Sequence, residues 1–186
     1  MLKENFIAEI EAGIRRNWNQ PALADYQGGS ATYGQVADRI VWLHHIFHKN
    51  HVKRGDRVAI LGRNSKNWGI VYLATVSYGA VVVPIMPDFH PDDVHHIVNH
   101  SGSVLLFADT PLFEALDEEE MKNLDGSFSL ERFELLAFRK KHLRDVAEKA
   151  TLEYLHSFKD RLDAQSFICP PRTTRSWPQS STPPGP

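Results

Sequence analysis

Arg57-Val58-Ala59-Ile60-Leu61 and the following Gly62-Arg63-Asn64-Ser65 form the stretch that decides the fold. The first five residues are a short, mostly apolar run that predicts a strand, and the next four predict a loop. A helix is predicted from about residue 66 to residue 78, with Gly79 at its end. The Val-rich run 80–85 then predicts a second strand, of the kind buried on both faces of a parallel sheet. This order is a βαβ unit, whose crossover should be right-handed.

Strand and helix patterns also alternate on either side of this unit. The helices are predicted from apolar residues at helical spacing, and Thr32 is a good N-cap for one of them. Gly28-Gly29 predicts a hairpin turn after the first strand. The surrounding predicted elements are a helix over 2–16, a strand over 22–26, a helix over 33–50, a helix over 91–100 and a strand over 103–108. The fold class is therefore α/β, a layered sheet with packed helices.

The pattern weakens after residue 109. Residues 117–127 are polar and predict a connection, and the charged segment 129–160 predicts one or two surface helices with thin apolar faces. Six of the eleven prolines lie in residues 169–186, among Ser, Thr and Gly. Such a segment buries too little apolar surface to offset its ordering entropy, which predicts disorder. We divide the chain into a domain over 1–165 and a Pro-rich tail over 166–186.

Composition excludes several classes of protein. The chain has 186 residues, 42% hydrophobic and 24% charged, as in soluble globular proteins. No apolar run approaches the roughly 20 residues of a membrane span, and acidic residues interrupt the first ten positions, so we expect no transmembrane segment and a cytoplasmic location. The single cysteine, Cys169, excludes an intrachain disulfide. A net charge of -2 without a basic stripe makes nucleic acid an unexpected partner.

The loop Gly62-Arg63-Asn64-Ser65 is a candidate anion site, because it lies between a strand and a helix. Backbone N–H groups point towards a ligand at such a position, and Ser65 is placed to cap the helix. The loop lacks both the Gly-rich dinucleotide fingerprint and the Lys-Ser/Thr ending of a P-loop. A purely structural turn is the favoured interpretation.

Histidines form two groups, and each contains a pair four residues apart. His44 and His48 form one pair and His96 and His100 the other, so each pair is spaced to face one way and bind a metal ion. Neither pair has a third ligand in a recognisable metal motif. Solvated or core-edge histidines are therefore favoured over a metal-binding protein, which remains an alternative.

Several motifs, taken in order, resemble the adenylate-forming (AMP-binding) superfamily. They are Thr32-Tyr33-Gly34-Gln35-Val36, then Gly55-Asp56-Arg57-Val58 with Asn64-Ser65, then Gly79-Ala80-Val81-Val82-Val83-Pro84. Val36 stands where the family usually has Leu. The continuation from Phe89 to Ser101 is more specifically similar to bacterial long-chain fatty-acid CoA ligases. The resemblance covers about residues 1–165 and implies the N-terminal subdomain of that fold.

The resemblance implies a two-step reaction for the intact enzyme. ATP and a fatty acid give an acyl-adenylate and pyrophosphate, and the thiol of CoA then displaces AMP. Mg²⁺ and a Gly- and hydroxyl-rich loop would hold the phosphates. No residue of this chain matches that loop, which in the family follows the region matched here. We therefore assign no catalytic, cofactor-binding or metal-binding residue, and expect none of these cofactors to bind this fragment well.

The Pro-rich tail resembles the missing loop when it is read out of frame. Joining the third base of each codon to the first two bases of the next, residues 177–186 permit Ala-x-Ile-Ile-Tyr-Thr-Ser-Gly-Thr. The family's loop begins Tyr-Thr-Ser-Gly-Thr-Thr-Gly. Trp177-Pro178 forces GCC, alanine, whereas the first bases of the later shifted codons are chosen to match the family. The second and third bases that the amino acids permit fit the family at every one of these positions. This predicts a frameshift near residues 168–172.

Two functions follow for this chain. As a truncated acyl-CoA ligase it should be inactive alone and leave one apolar face of its sheet uncovered, with poor solubility as the consequence. The alternative is a non-catalytic binding or interaction module that uses the same fold and pairs with a separate catalytic chain. Fold alone does not decide between them.

Overall fold

The computed structural model of the chain describes residues 6–138. Its helices are α1 (Phe6–Arg16), α2 (Tyr33–Lys49), α3 (Lys66–Tyr78), α4 (Pro91–Ser101) and α5 (Thr110–Phe113), with a 3₁₀ turn at Glu118–Glu120. Its strands are β1 (Pro21–Ala24), β2 (Ser30–Thr32), β3 (Arg57–Leu61), β4 (Val81–Ile85), β5 (Ser103–Ala108), β6 (Gly126–Ser129) and β7 (Leu135–Phe138). Strands β1 and β2 form an antiparallel hairpin. The other five form one sheet in the order β4-β3-β5-β6-β7, parallel except for the antiparallel pair β6–β7.

The start of α2 confirms the predicted cap. The Thr32 side chain accepts a hydrogen bond from the backbone N–H of Gln35, and the Gln35 side chain accepts one from the backbone N–H of Thr32. This reciprocal capping box satisfies two donors that the first helical turn leaves free. The helical spacing of the apolar residues in 33–50 predicts that one face of α2 is buried, and the structure buries it. Its members include Val36, Ile40, Leu43, His44 and Phe47.

The central βαβ unit has the predicted boundaries at β3 and α3. Ser65 caps α3 by accepting a hydrogen bond from the N–H of Trp68, and Gly79 ends the helix with a φ of 86°, in the left-handed region that glycine adopts without strain. Strands β3 and β4 are parallel, with Arg57 opposite Val81 and Leu61 opposite Ile85. The α/β fold class is confirmed.

The sheet is covered on both faces, because its side chains alternate in direction along each strand. Val58 and Ile60 pack with α1, α2, α3 and the β1–β2 hairpin, on what we call the α2–α3 face. Ala59 and Leu61 pack with α4 and α5, on what we call the α4 face. The structure is therefore a sheet between two helical layers, and the expectation of an uncovered apolar face is wrong for residues 6–138.

Strand β4 corrects one prediction. Its apolar sequence predicted burial on both faces, yet Val81 is 49% exposed and Pro84 is also exposed. The reason is its position, since β4 is the last strand on its side of the sheet among residues 6–138. An apolar run identifies a strand, but its burial depends on neighbours that the run does not encode.

The segment after residue 125 corrects a second prediction. Residues 126–129 belong to a buried strand, and the predicted helix from 129 is wrong as far as residue 138, because Leu135–Phe138 is a strand. Phe133 has a φ of 60° in the tight turn between the two strands and buries its ring. The remaining predicted helical segment, to residue 160, and the tail over 166–186 lie outside the described residues.

Candidate functional site

The carboxyl edge of the parallel strands is where a binding site is expected in this type of sheet. In open α/β sheets, ligands bind beyond the carboxyl ends of the strands, where successive connections leave in opposite directions along the sheet. Strand β3 lies between β4 and β5, so the connections after β3 and β5 diverge at this point. The loop 62–65 and residues Asp109 and Thr110 lie at the ends of these two strands.

Backbone N–H groups in the loop 62–65 and at the start of α3 donate to the chain's own carboxylates. The N–H of Arg63 donates to a carboxylate oxygen of Asp109 at 2.9 Å, and the N–H of Lys66 donates to Asp25 at 2.7 Å. Ser65 accepts from the N–H of Trp68 at 3.1 Å. The chain's own carboxylates thus lie where an anionic ligand would have to bind. These contacts favour the structural turn over the anion site.

Gly62 lies at a closely packed position. A Cβ at this position would lie 2.5 Å from a methyl carbon of Leu130 and 2.9 Å from a carboxylate oxygen of Asp109. Such distances are well below van der Waals contact, so a Cβ here would force the side chains of Leu130 and Asp109 to shift. The glycine therefore serves the packing of the sheet edge.

Asp109 and Glu131 join the end of β5 to the β6–β7 turn. Glu131 accepts from both the N–H and the hydroxyl of Thr110, each at 2.9 Å. Burial raises the pKa of the Asp109 carboxyl, and the nearby Glu131 charge adds to that rise, while the hydrogen bond from the Arg63 N–H opposes it. The sequence did not single out either residue. The only available signal was an acidic residue directly after an apolar strand.

Asp25 and Lys66 form the best-defined ion pair of the region. The Lys66 ammonium lies 2.6 Å from Asp25, whose other oxygen accepts the Lys66 N–H. The side-chain and backbone hydrogen bonds from Lys66 lower the pKa of the Asp25 carboxyl. The pair ties the β1–β2 hairpin to the first turn of α3. This contact also went unpredicted, because the two residues are far apart in sequence.

The structure separates the two histidine pairs. His44 is buried, and its Nε2 lies 2.9 Å from the carbonyl oxygen of Ala74 and 3.0 Å from the hydroxyl of Ser77. Burial lowers its pKa to about 4, so the ring is neutral and the Nε2–H donates to the carbonyl. His48 is exposed and does not share this environment. His44 is a core histidine of the α2–α3 interface and not a metal ligand.

His96 and His100 are both exposed on α4. Their rings stack, with centroids 5.7 Å apart and planes 14° from parallel. Their neighbour His95 has a structural role, because its Nε2 accepts the backbone N–H of Asp117 at 3.0 Å. Within residues 6–138, no three His, Cys, Asp or Glu side chains are grouped so as to hold a metal ion.

The described residues do not fit a nucleotide with its Mg²⁺. Oxygen ligands from at least one carboxylate and donors for phosphate oxygens are the usual requirements. At the carboxyl edge, Asp109 and Glu131 already accept hydrogen bonds, and the N–H groups of Arg63 and Lys66 already donate to carboxylates. In addition, no helix within 6–138 is long and apolar enough to cross a membrane.

Residues 10–169 match the AMP-binding enzyme family. The chain belongs to that family. The match includes the βαβ unit, the two parallel strands that follow it and the β6–β7 hairpin, which confirms the resemblance at the level of the superfamily. The carboxyl edge of the sheet therefore lies within the region that matches AMP-binding enzymes.

Curated relatives of this AMP-binding chain are of more than one kind. Surfactin synthase subunit 2 of Bacillus subtilis (strain 168) is 31% identical over 97 residues, which are 52% of this chain and 3% of that protein. The long-chain-fatty-acid–CoA ligase FadD15 of Mycobacterium bovis is 37% identical over 59 residues, 32% of this chain and 10% of that protein. The chain thus spans a small part of the length of either relative.

Solved structures show the same fold. The anthranilate CoA ligase AuaEII, in complex with anthranoyl-AMP, superposes with a TM-score of 0.65 at 20% identity, over 82% of this chain and 29% of that one. A benzoate CoA ligase from Burkholderia xenovorans LB400 superposes with a TM-score of 0.62 at 16% identity, over 80% and 29%. These likenesses confirm the N-terminal subdomain of an adenylate-forming enzyme as the fold.

Proposed function

We propose that this chain is the N-terminal part of an AMP-forming acyl-CoA ligase whose acid substrate is a long-chain fatty acid. Its substrates in the intact enzyme would be the fatty acid, ATP with Mg²⁺, and CoA. The match to the AMP-binding enzyme family supports the class of reaction, and the relative FadD15 supports the fatty acid. The motif from Phe89 to Ser101 supports the same choice of acid.

Residues 6–138 would contribute a scaffold and no chemistry of their own. The observation that carries this part is that Asp25, Asp109 and Glu131 accept the backbone N–H groups of Lys66, Arg63 and Thr110 at the carboxyl edge. A developing negative charge in adenylate formation needs donors aimed at it and free to bind it. Here the N–H groups of Arg63, Lys66 and Thr110 already donate to carboxylates. We therefore expect phosphate binding to come from residues outside the described part.

ATP–pyrophosphate exchange tests the proposal directly. The purified chain, incubated with Mg-ATP and palmitate, should give no exchange above background. A chain continued in the shifted reading frame, where the gene encodes such a continuation, should exchange with palmitate in preference to benzoate or anthranilate. Exchange by the 186-residue chain itself would overturn the scaffold role, and a preference for the aryl acids would overturn the fatty-acid assignment.

We also propose that residues 166–186 are encoded out of frame. The support is the composition of the tail and the permitted shifted peptide Ala-x-Ile-Ile-Tyr-Thr-Ser-Gly-Thr over residues 177–186. The nucleotide sequence tests it, because the shifted codons must carry the chosen first bases. Downstream frames that encode nothing like an adenylation domain would contradict the proposal.

A further inference from the structure

Helix α4 presents two histidines on one exposed face. His96 and His100 are four residues apart, which places their side chains one above the other on the helix surface. The centroids of their rings are 5.7 Å apart. Two imidazoles that bind one tetrahedral ion at Zn–N distances of about 2.0–2.1 Å have centroids roughly 5 Å apart. The centroid distance is therefore close to that of a chelate, and binding one ion requires the two stacked rings, whose planes are 14° from parallel, to rotate about their side-chain torsions until one nitrogen of each faces the ion.

The helix that carries the pair is fixed on its other sides. Val94 and Val98 are buried against the sheet. Asn99 donates to the carbonyl oxygen of Glu120 at 2.6 Å and accepts the N–H of Lys122 at 3.1 Å. The orientation of the exposed face is therefore set before any ligand binds.

Arg57 holds the carboxyl end of the same helix. Its guanidinium donates to the carbonyl oxygens of Ser101 at 2.6 Å and Gly102 at 3.0 Å. The last turn, which contains His100, is thus prevented from fraying. A chelating pair gains affinity when its ligands need little ordering, and this anchored turn meets that condition.

The charge around the pair favours a cation. Asp92 and Asp93 lie in the first turn of α4, and Asp92 is four residues before His96 on the same stripe of the helix. Both carboxylates are exposed. Their charge attracts a divalent ion towards the imidazoles without requiring direct coordination.

We propose that His96 and His100 form a two-histidine chelate for a divalent transition-metal ion such as Zn²⁺, Ni²⁺ or Cu²⁺. Imidazole nitrogen suits each of these ions, and water completes the coordination. The site has two protein ligands, consistent with the lack of any three-ligand group in residues 6–138. The sequence predicted no metal site because neither histidine pair has a third ligand in a recognisable metal motif. The structure distinguishes them, since His44 is committed to the core.

The test is a Ni²⁺ titration of the untagged full chain by isothermal calorimetry, for the wild type and for His96→Ala, His100→Ala and His90→Ala. His90 is exposed and precedes the helix, so its variant is the matched control. His96→Ala and His100→Ala should each lose one equivalent of bound Ni²⁺ or bind that equivalent at least about tenfold more weakly. The reason is that each variant keeps only one of the two imidazole ligands. His90→Ala should bind as the wild type does.

A second readout separates chelation from loss of fold. Added Ni²⁺ should raise the midpoint of thermal unfolding of the wild type and of His90→Ala, because the folded state alone holds the pair in place. The same addition should leave the midpoints of His96→Ala and His100→Ala unchanged, while all four proteins share one far-ultraviolet circular dichroism spectrum. Undiminished Ni²⁺ binding in either single variant, or an equal loss in His90→Ala, would overturn the proposal.

Discussion

The two faces of the sheet differ in how they are packed. On the α2–α3 face, three helices and the β1–β2 hairpin cover the strands, and the rings of Phe47, Phe107 and Phe128 meet in its centre. On the α4 face, one long helix and the short α5 cover the same strands, and Phe113 is the buried aromatic residue. The difference indicates that the α2–α3 face carries most of the stability, while the thinner α4 face displays the exposed histidines.

The comparison is tested most strongly by two neighbouring leucines of β5. Leu105 packs on the α2–α3 face and Leu106 on the α4 face, and both are fully buried. Leu105→Ala should lower the free energy of unfolding by about 4 kcal/mol, and Leu106→Ala by about 3 kcal/mol. The thinner layer should collapse further into the space left by the side chain, which reduces the cost. Urea denaturation of both variants gives the two numbers.

The two variants control each other, because the residue type, the strand and the loss of three carbon atoms are the same. A larger loss for Leu106→Ala would reverse the ranking of the faces. Equal losses would mean that the second helical layer is as rigid as the first.

The sequence predicted the well-packed region better than the edges of the sheet. The boundaries of β3, α3 and β5 follow from local signals, namely apolar runs, the Ser65 cap and Gly79, and the structure confirms them. Strand β6 was missed because Ser127 and Ser129 look polar, although both are buried between β5 and β7. The exposure of β4 was missed because its residues are apolar, although the strand lies at the edge of the sheet. Burial in a sheet depends on strand order, which short-range patterns do not contain.

The same limit applies to the candidate site. The sequence identified the loop 62–65 and favoured the structural turn, but it gave no indication that Asp25 and Asp109 would be the groups that bind its donors. Those contacts span more than forty residues of chain. They result from the parallel arrangement of β3 and β5 and from the hairpin packing on α3, which are tertiary features.

The buried His44 makes the α2–α3 face sensitive to acid. Its pKa is about 4 in the folded state and about 6.5 when unfolded, so the unfolded state binds the proton more readily between these values. Stability from this residue is therefore present above about pH 6.5 and is lost as pH falls towards 4. The total loss is roughly 3 kcal/mol at most, from the size of the shift.

Thermal or urea unfolding of the wild type and of His44→Gln between pH 4 and 7 measures this contribution. The glutamine amide can still donate to the Ala74 carbonyl but does not titrate. Carboxyl groups with shifted pKa values, such as Asp38 and Asp109, remain in both proteins and cancel in the difference. The wild type should lose more stability than the variant on acidification; parallel curves would show that His44 is not the acid-sensitive group.

The Asp25–Lys66 pair tests the attachment of the hairpin to the α2–α3 face. Asp25→Asn replaces the carboxylate that accepts hydrogen bonds from both the ammonium and the backbone N–H of Lys66. It should lower the free energy of unfolding by about 1–2 kcal/mol. Arg132→Ala is the control, since Arg132 and Glu134 are 3.8 Å apart and largely exposed. Arg132→Ala should lower the free energy of unfolding by less than about 0.5 kcal/mol. Similar values for the two pairs would mean that the hairpin adds little to this face.

The smallest effect is expected on the α4 face, at Asn99. Asn99→Ala removes the side-chain amide that donates to the Glu120 carbonyl and accepts the Lys122 N–H. It should lower the free energy of unfolding by about 1 kcal/mol. The effect should be local, because these bonds hold only the segment 118–122 against the helix. Amide hydrogen exchange should accelerate in that segment and in α4, and stay unchanged in α2 and α3. Faster exchange throughout both helical layers would show that the two faces unfold as one unit and that their unequal packing has no separate consequence.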